Sequence, residues 1–160
     1  MYVSPTDRPS RMFQGDRQVV PGFEGIEPLF LRYRAEDFLT DHLAEHSIRS
    51  QMKQSVNRGL FSEPADVLFD EEGKYNGLGV VGFRVDDITC TVKPAEGHPY
   101  NFFMKHIPLS NNYAHSEIWS DQDPPTIAMF KRPSKTALLE FRIRLCRVIT
   151  KDKICIVAAR

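Results

Sequence analysis

Between Asn111 and Glu117 the chain sets two amides, a phenol, an imidazole, a hydroxyl and a carboxylate within seven residues, Asn111-Asn112-Tyr113-Ala114-His115-Ser116-Glu117. From Ala114 to Trp119 apolar and polar residues alternate, which is a strand pattern. On a strand, His115 and Glu117 project from the same face. A carboxylate beside an imidazole raises its pKa and fixes its orientation, as a general acid or base requires. His115 is therefore the candidate acid or base and Glu117 its orienter, with Asn112 and Tyr113 as candidate binding groups. Arg34, at the end of a short strand, is the candidate charge stabiliser for an anionic, phosphate-containing substrate.

A second group is Ser55-Val56-Asn57-Arg58-Gly59, running into Ser62-Glu63-Pro64. Asn57, Arg58 and the free N–H groups of a following helix start could hold an anion. No Gly-Lys-Ser/Thr follows, and the spacing is not Gly-x-Gly-x-x-Gly, so a nucleotide-binding loop is excluded. A third is the string His42-Leu43-Ala44-Glu45-His46. Histidines four apart share a helix face and could reach one zinc ion, with Glu45 activating a water. Over these five residues the chain resembles the signature of the inverted zinc metallopeptidases. The resemblance implies zinc ligation by His42 and His46 and requires a third ligand, for which Glu117 is the formal candidate. It stops there: that family surrounds the motif with apolar helix residues in larger domains, whereas here the neighbours are Thr40, Asp41, Ser47 and Arg49.

Charge points to a further reading. The chain is neutral overall, yet from Lys131 to Arg160 it carries nine basic and two acidic residues. From Glu36 to Glu72 it carries nine acids against three bases. Arg142, Arg144, Arg147, Lys151 and Lys153 could face a phosphate backbone, but no aromatics are interleaved to stack single-stranded bases. Three function classes follow. The leading one is a small soluble interaction or accessory module that meets a protein or nucleic acid through the basic C-terminal segment. The alternative is a small metal-independent enzyme or ligand-binding domain using His115 and Glu117 on an anionic substrate. The third is a zinc-dependent hydrolase built on His42, Glu45 and His46. Outside that third reading, no metal and no cofactor is implied.

These residues need a scaffold, and 160 residues suffice for one domain with a real core. Cys90, Cys146 and Cys155 are odd in number and not closely spaced, which argues against a disulfide framework or a disulfide-linked partner and for a reducing, cytoplasmic setting. No apolar run approaches bilayer length, so no membrane role is expected. Residues 1–28, with Pro5, Pro9, Pro21 and Pro28, read as an extended N-terminal arm, and residues 29–160 as a single α+β domain.

Within that domain strands are expected near 29–34, 78–85, 88–93, 100–107, 114–119 and 153–159. A helix is expected over 36–58, where Leu39, Leu43, Ile48, Met52 and Val56 recur without Gly or Pro. A short helix opens at Ser62 with Pro64 in its first turn. Residues 134–149 carry conflicting patterns: Leu139, Phe141, Ile143 and Leu145 alternate, while Leu138, Phe141, Leu145, Cys146 and Ile149 form a helical stripe. Length and the Pro133-Ser134 start favour helix. Gly77, Gly79 and Gly82 predict a close backbone approach. The expected architecture is a mostly antiparallel mixed sheet with two or three helices on one face.

Overall fold

A computed structural model describes residues 8–38, 40–49, 53–69, 73–75, 77–122 and 133–160. Seven strands form one sheet: β1 (Pro28–Tyr33), β2 (Gln54–Arg58), β3 (Gly79–Arg84), β4 (Cys90–Val92), β5 (Tyr100–His106), β6 (His115–Gln122) and β7 (Ile154–Ile156). Their order is β4-β5-β6-β2-β1-β3-β7, and every strand pair is antiparallel. Among the described residues two α-helices accompany them, the single turn α1 (Val85–Ile88) and α2 (Lys135–Val148). The protein is thus mainly sheet. The mostly antiparallel sheet expected from the sequence is present, with all its strand pairs antiparallel; the two or three helices expected on one face reduce, among the described residues, to α2 and the single turn α1.

The sheet's two faces are unequal. Leu29, Leu31 and Tyr33 of β1 join a cluster of twenty-two buried residues that includes Leu138, Phe141 and Leu145 of α2. Phe30, pointing the other way, joins only Leu68 and Val80 in a buried cluster. Alternation along each strand produces this division. On β5 the burial pattern is strict, with Tyr100, Phe102, Met104 and His106 buried and the residues between them half-buried. Phe102 stacks flat on Phe141, ring centres 4.0 Å apart, and this ties β5 to α2. Ser134 caps α2 by accepting the Ala137 N–H. The helical stripe in 134–149 is the one that is buried; Leu139, required inside by the strand pattern, is exposed.

The helix expected over 36–58 is absent among its described residues. The chain instead makes short 3-10 turns at Ala35–Asp37 and Glu45–Ser47, then enters β2. Leu43, Ile48 and Val56 are all in the main core, as their apolar character demands. They reach it from an extended segment, a turn exit and a strand, not from one helix face. Tertiary hydrogen bonds replace the helical ones: Leu43 N–H donates to the Ile149 carbonyl (2.9 Å) and Ala44 N–H to the Asp37 carbonyl (2.8 Å). Leu39 and Met52, which completed the predicted stripe, lie outside the described residues. The segment opening at Pro64 is a 3-10 helix, Pro64–Leu68, with the proline in its first turn as expected.

The glycines of β3 serve the neighbouring chain. A Cβ on Gly79 would sit 2.3 Å from the Tyr33 ring and 2.7 Å from the Ala158 nitrogen, so Tyr33 and the C-terminal segment are what approach it. Gly59 stands just after β2. It crosses Pro28, donating its N–H to the Pro28 carbonyl at 2.7 Å, where a Cβ would collide.

Residues 8–27 run along the body and are fastened at several points. The Arg11 guanidinium donates two bonds to Asp66, at 2.7 and 2.8 Å. Tyr113 lies under the Arg17 guanidinium, 3.8 Å from the ring centre, and donates its hydroxyl to the Gln18 carbonyl at 2.8 Å. His106 Nδ1 accepts the Val20 N–H at 2.9 Å, and its Nε2 donates to the Tyr113 carbonyl at 2.7 Å.

Candidate functional site

On the face opposite α2, a groove of about 880 Å³ opens over β1, β2 and the start of β6. That volume suits a small ligand or a short segment of chain. Its origin is a defect in the sheet. β1 pairs with β3 along all six residues, but with β2 only at Leu29 and Phe30. Beyond Phe30 the two central strands part company. The connection between them returns across the open end, where Asp37, His46, Ser47 and Arg49 close the groove.

The lining divides by chemistry. Arg32 and Arg34 stand on or just beyond β1 and Arg49 at the far end, all exposed. Asp37 is the one acid of the lining, and it is already engaged. Its Oδ2 accepts the Arg34 N–H at 2.7 Å, and its Oδ1 lies 2.9 Å from His46 Nε2. Among the described residues neither the Arg34 nor the Arg49 side chain has a carboxylate partner. Val67, Phe69, Tyr75, Leu78 and Leu109 form an apolar wall.

Asn57 and Asn112 meet at the floor. Asn112 Nδ2 donates to Asn57 Oδ1 at 2.8 Å, and the residues are only 9% and 1% exposed. That bond leaves Asn57 Nδ2 and Asn112 Oδ1 buried without partners. Exchanging the two amide assignments changes nothing in kind, because one NH2 and one carbonyl remain over. Ser47 Oγ is a third buried, unpartnered atom. Each such atom costs about 1–3 kcal/mol. Among the described residues, all the unpartnered buried side-chain atoms outside Arg8 belong to residues lining this groove.

The sequence candidates separate. Arg34, Asn57, Asn112 and His115 come together in the groove. His115 Nδ1 donates to the Ile107 carbonyl at 2.7 Å, so Nε2 is left to accept the Ser55 hydroxyl, 3.1 Å away. The imidazole is therefore oriented by a main-chain carbonyl and not by Glu117. Glu117 shares its face but accepts from Trp119 Nε1 at 3.1 Å and does not line the groove. Arg58 and Tyr113 lie elsewhere, both engaged with residues 8–27. Arg58 Nε donates to Glu27 Oε1 at 2.6 Å and Nη1 to the Val20 carbonyl at 2.6 Å, while Nη2 reaches Gly22 and Glu27. Arg32, Arg49 and the Ser55–His115 contact were not singled out from the sequence. The alternation of Phe30, Arg32 and Arg34 along one face of β1 is the local signal that could have found Arg32; Arg49 is brought in by a connection whose path no local pattern shows.

The zinc geometry does not form. His42 sits in an isolated bridge to Thr150, with Nδ1 3.0 Å from the Leu43 carbonyl, and only Glu45–Ser47 makes a 3-10 turn. The two histidines therefore do not share a helix face. Among the described residues no three His, Cys, Asp or Glu side chains are grouped to hold a metal. In the basic C-terminal segment, Arg142 donates to the Glu45 carbonyl at 3.1 and 2.7 Å, and Arg144 pairs with Glu140 at 2.8 Å. Burial pushes the Cys146 thiol up to about 12, which makes it a core residue and not a nucleophile. No helix among the described residues is long and apolar enough to cross a membrane. Compared with known proteins, the chain matches no family model, no curated protein and no solved structure.

Proposed function

We propose that this protein is a ligand-binding domain whose groove takes an anionic ligand carrying a carboxylate or phosphate. The observation that carries the reading is the charge of the lining: Arg32, Arg34 and Arg49 face one acid, Asp37, which already has two partners. Guanidinium groups with free N–H forks hold planar and tetrahedral anions by paired, charge-assisted hydrogen bonds. The apolar wall of Val67, Phe69, Tyr75, Leu78 and Leu109 accepts the ligand's body, and the Asn57–Asn112 pair gives it polar direction. The basic C-terminal segment supports a macromolecular contact less well, since Arg142 and Arg144 are held within the chain.

The test is calorimetric titration with inorganic phosphate and with glutarate, at low and high salt. Binding that weakens with salt and is lost in Arg34→Glu/Arg49→Glu supports the reading. A ligand at 100 times its Kd would also stabilise the fold by about 2.7 kcal/mol in a thermal melt. No heat from either anion, with the wild-type protein folded, sinks it.

The enzymatic alternative has one observation of its own. His115 turns Nε2 to the exposed Ser55 hydroxyl, 3.1 Å away, while the Ile107 carbonyl holds its other nitrogen, an arrangement suited to proton transfer. Turnover of an anionic ester lost in both Ser55→Ala and His115→Ala, with anion binding retained, would favour it.

A further inference from the structure

We propose that the ligand of the groove is an extended peptide segment, acidic and apolar in alternation, that pairs along the open seam between β1 and β2. The proposal rests on the anion-binding reading and names its ligand class.

The seam supplies the main-chain argument. In an antiparallel ladder, hydrogen-bonding pairs occur at every second position. The Gly59 N–H bond to the Pro28 carbonyl, 2.7 Å, fixes Pro28–Gly59 as one such pair. Phe30–Asn57 is the next, and it is formed. Arg32–Ser55 would follow, and it is not among the paired positions. The ladder therefore ends with strand-like positions facing an open groove in the middle of a sheet. Exposed strand edges of this kind bind extended peptides by adding main-chain hydrogen bonds. One amide already bridges the open end. The Gln54 side chain accepts the Arg49 N–H at 2.8 Å and donates to the Ser55 carbonyl at 3.1 Å.

The side chains agree with the backbone. A peptide unit offers one donor and one acceptor, and the Asn57–Asn112 pair leaves over one of each, Nδ2 and Oδ1. Successive side chains of an extended peptide point to opposite sides. One set would meet Arg32 and Arg34 on the groove face, and the other would turn to the α2 side, where Leu31, Tyr33 and Val56 line the seam. A compact anion such as free phosphate would meet the arginines and leave the seam, the amides and the wall unused.

The experiment is selection of random octapeptides displayed on phage against the full chain. Enriched peptides are then synthesised with a fluorophore for anisotropy titration. The expected consensus alternates Asp or Glu with apolar residues, and Arg34→Glu/Arg49→Glu abolishes binding while circular dichroism stays native. Because the Gln54 side chain already holds the Ser55 carbonyl of β2, the peptide pairs with β1 alone; N-methylation of the peptide amides that face β1 weakens binding by roughly 3- to 10-fold per bond removed, while the other phase is tolerated. Phosphate and glutarate binding with no enriched peptide overturns the peptide assignment and leaves the anion reading standing. A consensus without acids, or equal tolerance of both methylation phases, also overturns it. Failure of anions and peptides alike removes both readings.

Discussion

Replacing Arg58 by methionine should release residues 18–27 from the body without unfolding the sheet first. Arg58 is 1% exposed and Glu27 7%, so their pair is shielded from water. Removing one partner of such a pair typically costs about 3–5 kcal/mol, because the remaining charge is buried alone. Two further acceptors, the Val20 and Gly22 carbonyls, lose their donor in the same step. The guanidinium also lies 3.9 Å from the Phe23 ring centre, and that contact goes too. The chain has an alternative to a buried lone carboxylate: it can let Glu27 and the segment before it swing into water. The measured loss should therefore saturate at the free energy that docks this segment. A 3 kcal/mol loss raises the undocked population by roughly 100-fold. Trypsin cleavage after Arg17 reads that population directly, and urea denaturation reads the global stability. Glu27→Gln should give a similar phenotype, and the Arg58→Met/Glu27→Met double variant should lose clearly less than the sum of the two methionine single variants. An Arg58→Met protein with unchanged cleavage after Arg17 and a loss under about 1 kcal/mol would refute this account.

Two other outcomes follow from the same packing. Burial first, then the nearby Arg58 charge, holds the His106 pKa below its usual 6.5, against the opposing Tyr113 carbonyl bond and Glu27. Neutral His106 is the form that accepts the Val20 N–H, so its stabilisation is complete above pH 6.5 and is lost as pH falls from 6.5 through the lower folded value. Urea midpoints measured across that window should drop in the wild type and stay flatter in His106→Gln, whose amide can accept and donate without titrating. In the core, Phe141→Ala empties the stack on Phe102 and should cost about 3–5 kcal/mol in urea denaturation; a cost near 1 kcal/mol would mean that the stack is not what joins α2 to β5.

The sequence showed six of the seven strands and the long helix because those segments bury a face with the right period. It hid β2, and the reason is physical. Gln54-Ser55-Val56-Asn57-Arg58 has a single apolar residue, although four of its five residues are buried. Asn57 is buried against Asn112, and Arg58 against Glu27 and residues 20–22, from segments 31 to 55 residues distant. No local propensity encodes partners that far away. The candidate site was half legible for the same reason. Arg34, Asn57, Asn112 and His115 were marked by residue type, but their meeting depends on a strand read as helix. Arg58 and Tyr113 have types that bind ligands equally well, and here they hold the chain's own N-terminal segment.

The composition of β2 supports the proposal that the groove is a site and not an accident of packing. A central strand costs least when both faces are apolar, since its neighbours supply the main-chain partners and the side chains need none. β2 occupies the centre of a seven-stranded sheet, yet its groove face carries Ser55 and Asn57, beside Arg32 on β1 and His115 on β6. The twenty-two-residue cluster on the α2 side already provides the burial that holds the sheet together. Filling the other face with valine and leucine would extend the pairing of β1 and β2 and remove the unpartnered amides. Ser55→Val with Asn57→Val and Asn112→Leu, which removes both amides together, should therefore raise the urea midpoint while lowering ligand affinity. A stability gain with binding intact would place the ligand elsewhere, and a loss of stability would mean that these polar groups support the fold itself.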